Sequence, residues 1–237
     1  MSSSDLGGWR LLARVGTGAT AEVWRATRAG VQAVLKRVRV DQRRNPAYLH
    51  AFETEAMAMA ALADVPEVLR CVDAGVGWVA LEPGSALDPR PPHGVVDAVE
   101  RALAAAHARG IVHRDPKLAN VLHTARGFVL GDWGSARIDG HPDPTPAVGS
   151  PEAFAPERLR GEPATPATDR YALGVLAWTV YTGAPPWPPT RWDALLAVDR
   201  AALPPFRPLA AVSAEREAEV RAWLSVDPAL RQTNPAK

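Results

Sequence analysis

Residues 113–120 read His113-Arg114-Asp115-Pro116-Lys117-Leu118-Ala119-Asn120, directly after the apolar pair Ile111-Val112. An acid, a cation and an amide thus stand at offsets 0, +2 and +5 in a segment too polar and too proline-bound to continue a strand or a helix. Upstream, Val95 to Arg109 is an alanine-rich amphipathic stretch that predicts a helix ending at Gly110, a favourable C-cap. Downstream come two strand-like pieces, Val121 to His123 and Gly127 to Leu130, then Asp132-Trp133-Gly134, and Ala155-Pro156-Glu157 further on. The segment therefore reads as a loop.

Working outward toward the N-terminus, Leu11 to Val15, Ala21 to Ala26 and Val31 to Val40 are short, β-branched-rich runs punctuated by Gly16, Gly18 and Gly30, the pattern of a β-meander. Gly16-Thr17-Gly18-Ala19-Thr20-Ala21 nearly satisfies GxGxxG. A dinucleotide fingerprint needs those glycines to open a helix, whereas Glu22-Val23-Trp24-Arg25-Ala26 continues as strand. No GxxxxGK[ST] follows, so a Walker-type loop is excluded. What remains is a glycine hairpin whose backbone can approach phosphates closely, or a plain structural hairpin.

Lys36 lies among apolar neighbours in the third of these runs. From Ala47 to Leu62, Phe52, Ala56, Met59 and Leu62 recur at helical spacing, and Glu55 falls on the same face while Glu53 points elsewhere. A carboxylate on an apolar face is costly unless paired, and Lys36 is the natural partner.

Taken in order, the glycine loop at 16–21, Lys36 with Glu55, the loop at 113–120, Asp132-Trp133-Gly134 and Ala155-Pro156-Glu157 resemble the eukaryotic-like protein kinases, above all the serine/threonine members of bacteria. The resemblance runs from Leu11 to Arg231 and implies an α+β bilobal fold: a small antiparallel β-sheet lobe with one helix over residues 1–82, and a larger, mainly helical and compact lobe over 83–237. It implies ATP and magnesium, or manganese in its place, as cofactors, and a protein hydroxyl as acceptor. Asp115 would accept the acceptor proton, Lys117 would reach the γ-phosphate and mark a serine/threonine enzyme, and Asn120 and Asp132 would ligate the metal. Lys36 would hold the α- and β-phosphates with Glu55 fixing it. Leu81 aligns with the position guarding the adenine pocket, Glu82 and Gly84 with the hinge that binds the base through its backbone, and Val23 and Val34 with the residues covering one face of it. Ser150 matches the segment lining the substrate, Glu157 a buried ion pair with Arg231, and Asp169, at the start of the apolar helix Tyr171 to Tyr181, a hydrogen bond to the loop backbone. Arg114 would pair with a phosphorylated Thr145, formed by autophosphorylation, through charge-assisted hydrogen bonds.

Trp133 stands where the family usually has phenylalanine, Pro116 restricts the backbone of Asp115, and Ala119 stands where members selecting basic substrates carry a carboxylate. The rival reading is a pseudokinase, a nucleotide-binding scaffold or regulator, against which stands the presence of Lys36, Glu55, Asp115, Lys117, Asn120 and Asp132. A small-molecule kinase is disfavoured by Ala155-Pro156-Glu157.

Composition sets the remaining bounds. A chain of 237 residues with 47% hydrophobic content can bury a sizeable core, and a net charge of +1 gives no global pull toward nucleic acid or anionic membrane. The single cysteine, Cys71, excludes an intramolecular disulfide and reads as a small buried apolar residue in a reducing, cytoplasmic setting. The N-terminus lacks the pattern of a secretory signal, and the run Tyr171 to Tyr181 is too short to span a bilayer. The histidines, His107 among them, lack metal-ligand spacing and read as surface or packing residues, with His113 as an anchor of its loop. The eight tryptophans read as core.

Overall fold

The computed structural model describes residues 5–88, 92–142, 153–187 and 202–231. The N-terminal alternating runs form β1 (Asp5–Leu6), β2 (Trp9–Thr17), β3 (Ala21–Arg28) and β4 (Val31–Val38). The strand expected to reach Val40 stops at Val38, and Val40–Gln42 forms a 3-10 turn instead. At that point the neighbouring ladders have run out: Val38 N donates to Gly77 O at 2.8 Å and Arg39 N to Thr20 O at 3.0 Å, both turn residues. Helix α1 (Pro46–Ala61) follows, with Asn45 Oδ1 capping Ala47 N at 3.1 Å and proline at its first position. The strands β5 (Cys71–Gly75) and β6 (Trp78–Leu81) complete a six-stranded antiparallel sheet in the order β1-β2-β3-β4-β6-β5.

Period-two alternation divides this sheet chemically. Ala33 and Leu35 join Trp9, Leu11, Ala26, Trp78 and Ala80 in a small cluster on one face. On the other face Val38, Val79 and Leu81 join Phe52, Met59 and Leu62 of α1 in the main core. Lys36, in register with Val23 and Val79, and Val34, in register with Leu81, belong to this second face.

Past Leu81 the chain forms β7 (Ser85–Ala86), α2 (Gly94–His107), β8 (Ile111–Val112), β9 (Val121–Thr124), β10 (Gly127–Leu130), β11 (Arg137–Ile138), α3 (Pro156–Leu159), α4 (Pro166–Thr182) and α5 (Ala214–Trp223). The short strands make a β10-β9-β7 sheet and a β11-β8 pair. Helix α2 ends earlier than its alanine pattern suggests. Ala108 is its cap, and Gly110, at φ +68°, already belongs to the turn that meets Asp139, whose N–H donates to Gly110 O at 3.0 Å. Helix α4 starts at Pro166, behind a reciprocal Thr165–Thr168 capping box, so Asp169 lies in its first turn and does not begin it. The Tyr171 to Tyr181 run is buried along nearly its whole length, so α4 is the central post of the larger lobe. The main core is continuous from α1 through α2 and α4 to α5.

Trp9, Trp78, Trp133, Trp178, Trp187 and Trp223 are buried. Cys71 is only half-buried, its thiol donating to Asp73 O at 3.2 Å, and burial pushes that thiol upward from its usual pKa. Among the described residues no helix is long and apolar enough to cross a membrane.

Candidate active site

The residues singled out on the sheet and on the loops converge on one cleft. Lys36 projects from β4 and meets Glu55 of α1 with both carboxylate oxygens, at 2.9 and 3.1 Å, and Asp132 Oδ1 at 2.6 Å. Glu55 is 1% exposed, while the Asp132 side chain is 49% exposed, so the cation joins a buried anion to one that opens onto the cleft. Burial disfavours the charge on Lys36, but Glu55 and then Asp132 outweigh it and hold the ammonium above the usual lysine range. Burial raises Glu55 against the pull of Lys36. For Asp132, burial is overcome by Lys36, and the carboxyl is held below its usual range.

The 113–120 loop is fixed from behind. Asp169, wholly buried, accepts His113 N at 2.8 Å on Oδ2 and Arg114 N at 2.7 Å on Oδ1. His107 Nε2 sits 2.8 Å from the same Oδ2. His113 Nδ1 accepts from Asp115 N at 3.3 Å, which leaves its ring proton on Nε2 to donate to Gly131 O at 3.1 Å. His113 thereby ties the loop to the strand end just before Asp132, and its ring rests 4.4 Å from that of Trp133.

At the front, Lys117 Nζ donates to Asp115 Oδ2 at 2.6 Å, and Asn120 Nδ2 to Asp115 O at 2.9 Å. Asp115 Oδ1 is buried with no hydrogen-bond partner among the described residues. An orphaned carboxylate oxygen is costly unless something else donates to it. Asp132 adopts a left-handed backbone, φ 59° and ψ 55°, and Trp133 is fully buried with its indole N–H donating to Leu130 O at 3.1 Å, a bond that a phenylalanine could not make. Gly134 runs so close to α1 that a Cβ there would stand 3.1 Å from Ala51 O.

The glycine loop is a hairpin between β2 and β3, Gly18 N donating to Ala21 O at 2.8 Å. A Cβ at Gly16 or Gly18 would meet nothing nearer than 3.7 or 3.8 Å, and neither has positive φ, so the hairpin itself does not require glycine there. Leu81 is in register with Val34, and Val23 with Lys36 two residues further along β4, and Glu82 and Gly84 follow Leu81. At Gly84 the chain runs close to β9: a Cβ there would lie 3.2 Å from Leu122 Cβ and Thr124 Cγ2.

Away from the cleft, Arg231 and Glu157 form a buried bidentate pair at 2.7 and 2.9 Å, and Thr168 Oγ1 donates to the same carboxylate at 3.2 Å. Arg114 is buried with φ 75°. Thr145 and Ser150 lie outside the described residues.

Two participants were not singled out from sequence. His107, read as an ordinary packing residue, is the side-chain partner of Asp169. Arg126, in the turn between β9 and β10, forms an ion pair with Glu82, with Nε at 3.2 Å from Oε2. It also donates to Val68 O at 2.9 Å and to Pro66 O. Glu82 is bound by Arg70 as well: its Oε1, which Arg126 Nη2 also contacts, accepts Arg70 N at 2.9 Å, and its N–H donates to Arg70 O at 3.0 Å. Arg126 thus ties the hinge to the connector after α1 and to the β9-β10 hairpin. A basic residue beside Gly127 in a strand-pair turn was the one available signal.

Comparison with known proteins agrees with this geometry. Residues 78–234, about two thirds of the chain, match the protein kinase domain family. A probable serine/threonine-protein kinase of Streptomyces coelicolor is 31% identical over 201 residues, covering 73% of this chain and 30% of that protein. Serine/threonine-protein kinase PknD of Mycobacterium tuberculosis is 32% identical over 215 residues, covering 82% of this chain and 32% of that protein. For PknA of the same species the values are 30% identity, 76% and 48%. The chain spans about a third to a half of the length of these relatives. A solved structure, the Cydia pomonella granulovirus kinase PK-1, has the same fold, with a TM-score of 0.74 at 20% identity over 94% of this chain and 90% of that one. With its antiparallel sheet lobe, its helical lobe and its ordered motifs, the chain belongs to the protein kinase domain family.

Proposed function

We propose that the chain transfers the γ-phosphate of ATP, with magnesium, to a serine or threonine hydroxyl of a protein. The observation that carries this reading is the Lys36 ammonium bonded at once to Glu55 of α1 and Asp132 of the cleft. That arrangement poises one cation beside a half-exposed carboxylate where a polyphosphate would need both a counter-charge and a metal ligand.

The donor set suits magnesium. Asn120 spends its amide nitrogen on Asp115 O, which leaves Oδ1 able to ligate, and Asp132 has Oδ2 left over from its bond to Lys36. One carboxylate and one amide oxygen, completed by phosphate oxygens and water, is the sparse hard-oxygen set this ion accepts. Magnesium held there would neutralise phosphate charge as it spreads in the transition state.

The chain's own groups divide the remaining work. Gly16 and Gly18, which the hairpin does not itself demand, let backbone approach the phosphates. Lys36 binds the non-transferred phosphates and Glu55 keeps it from collapsing outward. Val23 and Val34 cover the base, which the Glu82 carbonyl and the Gly84 N–H recognise. The unsatisfied Asp115 Oδ1 receives the acceptor hydroxyl and takes its proton, while Lys117 supplies positive charge to the group in transit. Arg114 receives a phosphate on Thr145 once the chain has modified itself, and Ser150 lines the acceptor segment. The lobes divide after Glu82.

The test is incorporation of radiolabelled phosphate from magnesium-ATP by the purified chain, compared with Asp115→Asn and Lys36→Met. Transfer that vanishes in both variants supports the reading. Equal signals in all three would assign the activity to a contaminant, and nucleotide binding without transfer would replace the enzyme with a scaffold.

A further inference from the structure

We propose that the segment 203–208, between α4 and α5, docks a separate protein domain of the SH3 type, one that takes a polyproline II strand into an aromatic-lined groove beside an acidic side chain. The proposal is independent of the phosphotransfer reading. The segment reads Leu203-Pro204-Pro205-Phe206-Arg207-Pro208. Its prolines fix their own φ at about −65°, and Leu203, Pro204 and Arg207 each precede a proline, which keeps them out of the α region. Phe206 is the one residue under neither restraint. Residues 203–208 accordingly form neither helix nor strand, and among the described residues none of their backbone groups bonds to another backbone group. A polyproline II strand is built in this way, with its backbone left to solvent.

Burial follows the same threefold repeat. Such a strand has three residues per turn, so its side chains form three edges. Leu203 and Phe206 make one edge, and both pack on the main core. The Phe206 ring meets that of Trp178 edge-on with centroids 5.0 Å apart, and its centroid lies 6.3 Å from that of Tyr181. Leu209, next on this edge, donates its N–H to Tyr181 O at 2.8 Å. The other two edges are Pro205 with Pro208, both exposed, and half-buried Pro204 with exposed Arg207. Helix α4 thus holds the strand by one edge and presents the remaining two.

Those two edges decide the partner. A three-edged strand laid on a flat groove offers two edges and turns the third away, and here the third is already spent on the chain's own core. Pro204-Pro205 and Arg207-Pro208 then stand as successive X-Pro pairs separated by Phe206, the spacing of the PxxP segments that aromatic-lined grooves take. Their rings are apolar and their backbone is preset, so docking loses little chain entropy. Arg207 adds the charge: it is exposed, and among the described residues it has no ion pair or hydrogen bond. An unanswered guanidinium beside the prolines calls for a carboxylate on the partner. The segment carries no second cation, so an anionic polymer would gain little from it.

The experiment titrates the full chain against an array of purified SH3 domains by biolayer interferometry, as wild type, as the double variant Pro205→Ala with Pro208→Ala, and as Arg207→Glu. The three substituted side chains are exposed and lie outside the cleft, which protects the fold. The expected result is saturable binding of wild type by at least one domain, weakened at least about tenfold in the double variant and at least about fivefold in Arg207→Glu. No binding of wild type by any domain, or equal binding of all three chains, would overturn the docking site. Where the double variant also lowers the urea unfolding midpoint, Arg207→Glu decides alone, and an unchanged affinity there overturns the proposal. Self-association that Arg207→Glu abolishes, read by sedimentation velocity, would give the segment to a second copy of the chain, and binding by WW domains alone would replace the two-pair register. Either result overturns an SH3-type partner.

Discussion

Replacing Lys36 with methionine should expose the cost of the buried Glu55 and make that cost depend on pH. In the wild type the carboxylate is 1% exposed and answered by Lys36 Nζ on both oxygens, at 2.9 and 3.1 Å. Methionine keeps most of the volume and removes the charge. Breaking a buried pair on one side costs about 3–5 kcal/mol when the remaining ion stays charged. With a urea m-value of about 2–3 kcal/mol/M, that lowers the unfolding midpoint by about 1–2.5 M.

Protonation offers the variant an escape. Burial already raises Glu55 above its ordinary value of 4.5, with Lys36 opposing. Without Lys36 the folded state prefers the neutral acid more strongly. A carboxyl with a raised folded pKa binds its proton more tightly folded than unfolded, so stability is highest below the unfolded pKa and falls as pH rises through the folded one. The difference between wild type and Lys36→Met should therefore grow with pH above the ordinary carboxylate range, at up to about 1.4 kcal/mol per pH unit, and then level off. Urea unfolding between pH 5 and 8, followed by tryptophan fluorescence, measures it. Adding Glu55→Gln to the variant should abolish the slope. Parallel stability curves for wild type and Lys36→Met across that range would refute the claim that Glu55 is a buried charge held by Lys36.

Arg126→Ala frees both the hinge and the connector after α1, and because Glu82 is proposed to bind the base through its carbonyl, KM for ATP should rise by about three- to tenfold with kcat changed less than about twofold. Arg126→Lys, which keeps the charge but not the fork, should recover only part of this, and an unchanged KM in both would remove Arg126 from nucleotide binding. Ala29 holds φ 49° in the turn before Gly30, which has φ 82°. Ala29→Gly should stabilise the fold by about 0.5–1 kcal/mol, read as a higher Tm, and a lower Tm would show that the turn is not strained at that residue.

What could be read from sequence was whatever imposed a local rule. Glu55 was legible because a carboxylate on an apolar helical stripe demands a cation, and the strand carrying Lys36 is the neighbouring apolar run. Asp115, Lys117 and Asn120 were legible because their offsets repeat a pattern tied to one chemistry. The start of α4 was not, since Pro166 to Arg170 is polar and only the apolar Tyr171 to Tyr181 stretch advertises burial. His107 and Arg126 were missed for a different reason. Their carboxylate partners, Asp169 and Glu82, lie 62 and 44 residues away, and nothing periodic links them. Such pairs are created by the packing of elements far apart in the chain, which no local pattern encodes.

Pro116 raised the question of how the backbone of Asp115 could be accommodated, and the left-handed conformation falls one residue earlier, on Arg114 at φ 75°. Asp132 supplies a second left-handed residue across the cleft, at φ 59°. Each costs about 1–2 kcal/mol for a side chain with a Cβ, so both must be held by their surroundings. For Arg114 the holding group is Asp169, which takes the N–H groups of Arg114 and His113 on separate oxygens. For Asp132 it is the next residue, Trp133, buried and hydrogen-bonded to Leu130 O. His113 then joins the two, packing on Trp133 and donating to Gly131 O. The strained backbones at Arg114 and Asp132 are therefore not independent. Asp169, His113 and Trp133 form one buried brace, and it sets the spacing between the carboxylate proposed to take the acceptor's proton and the one proposed to hold the metal.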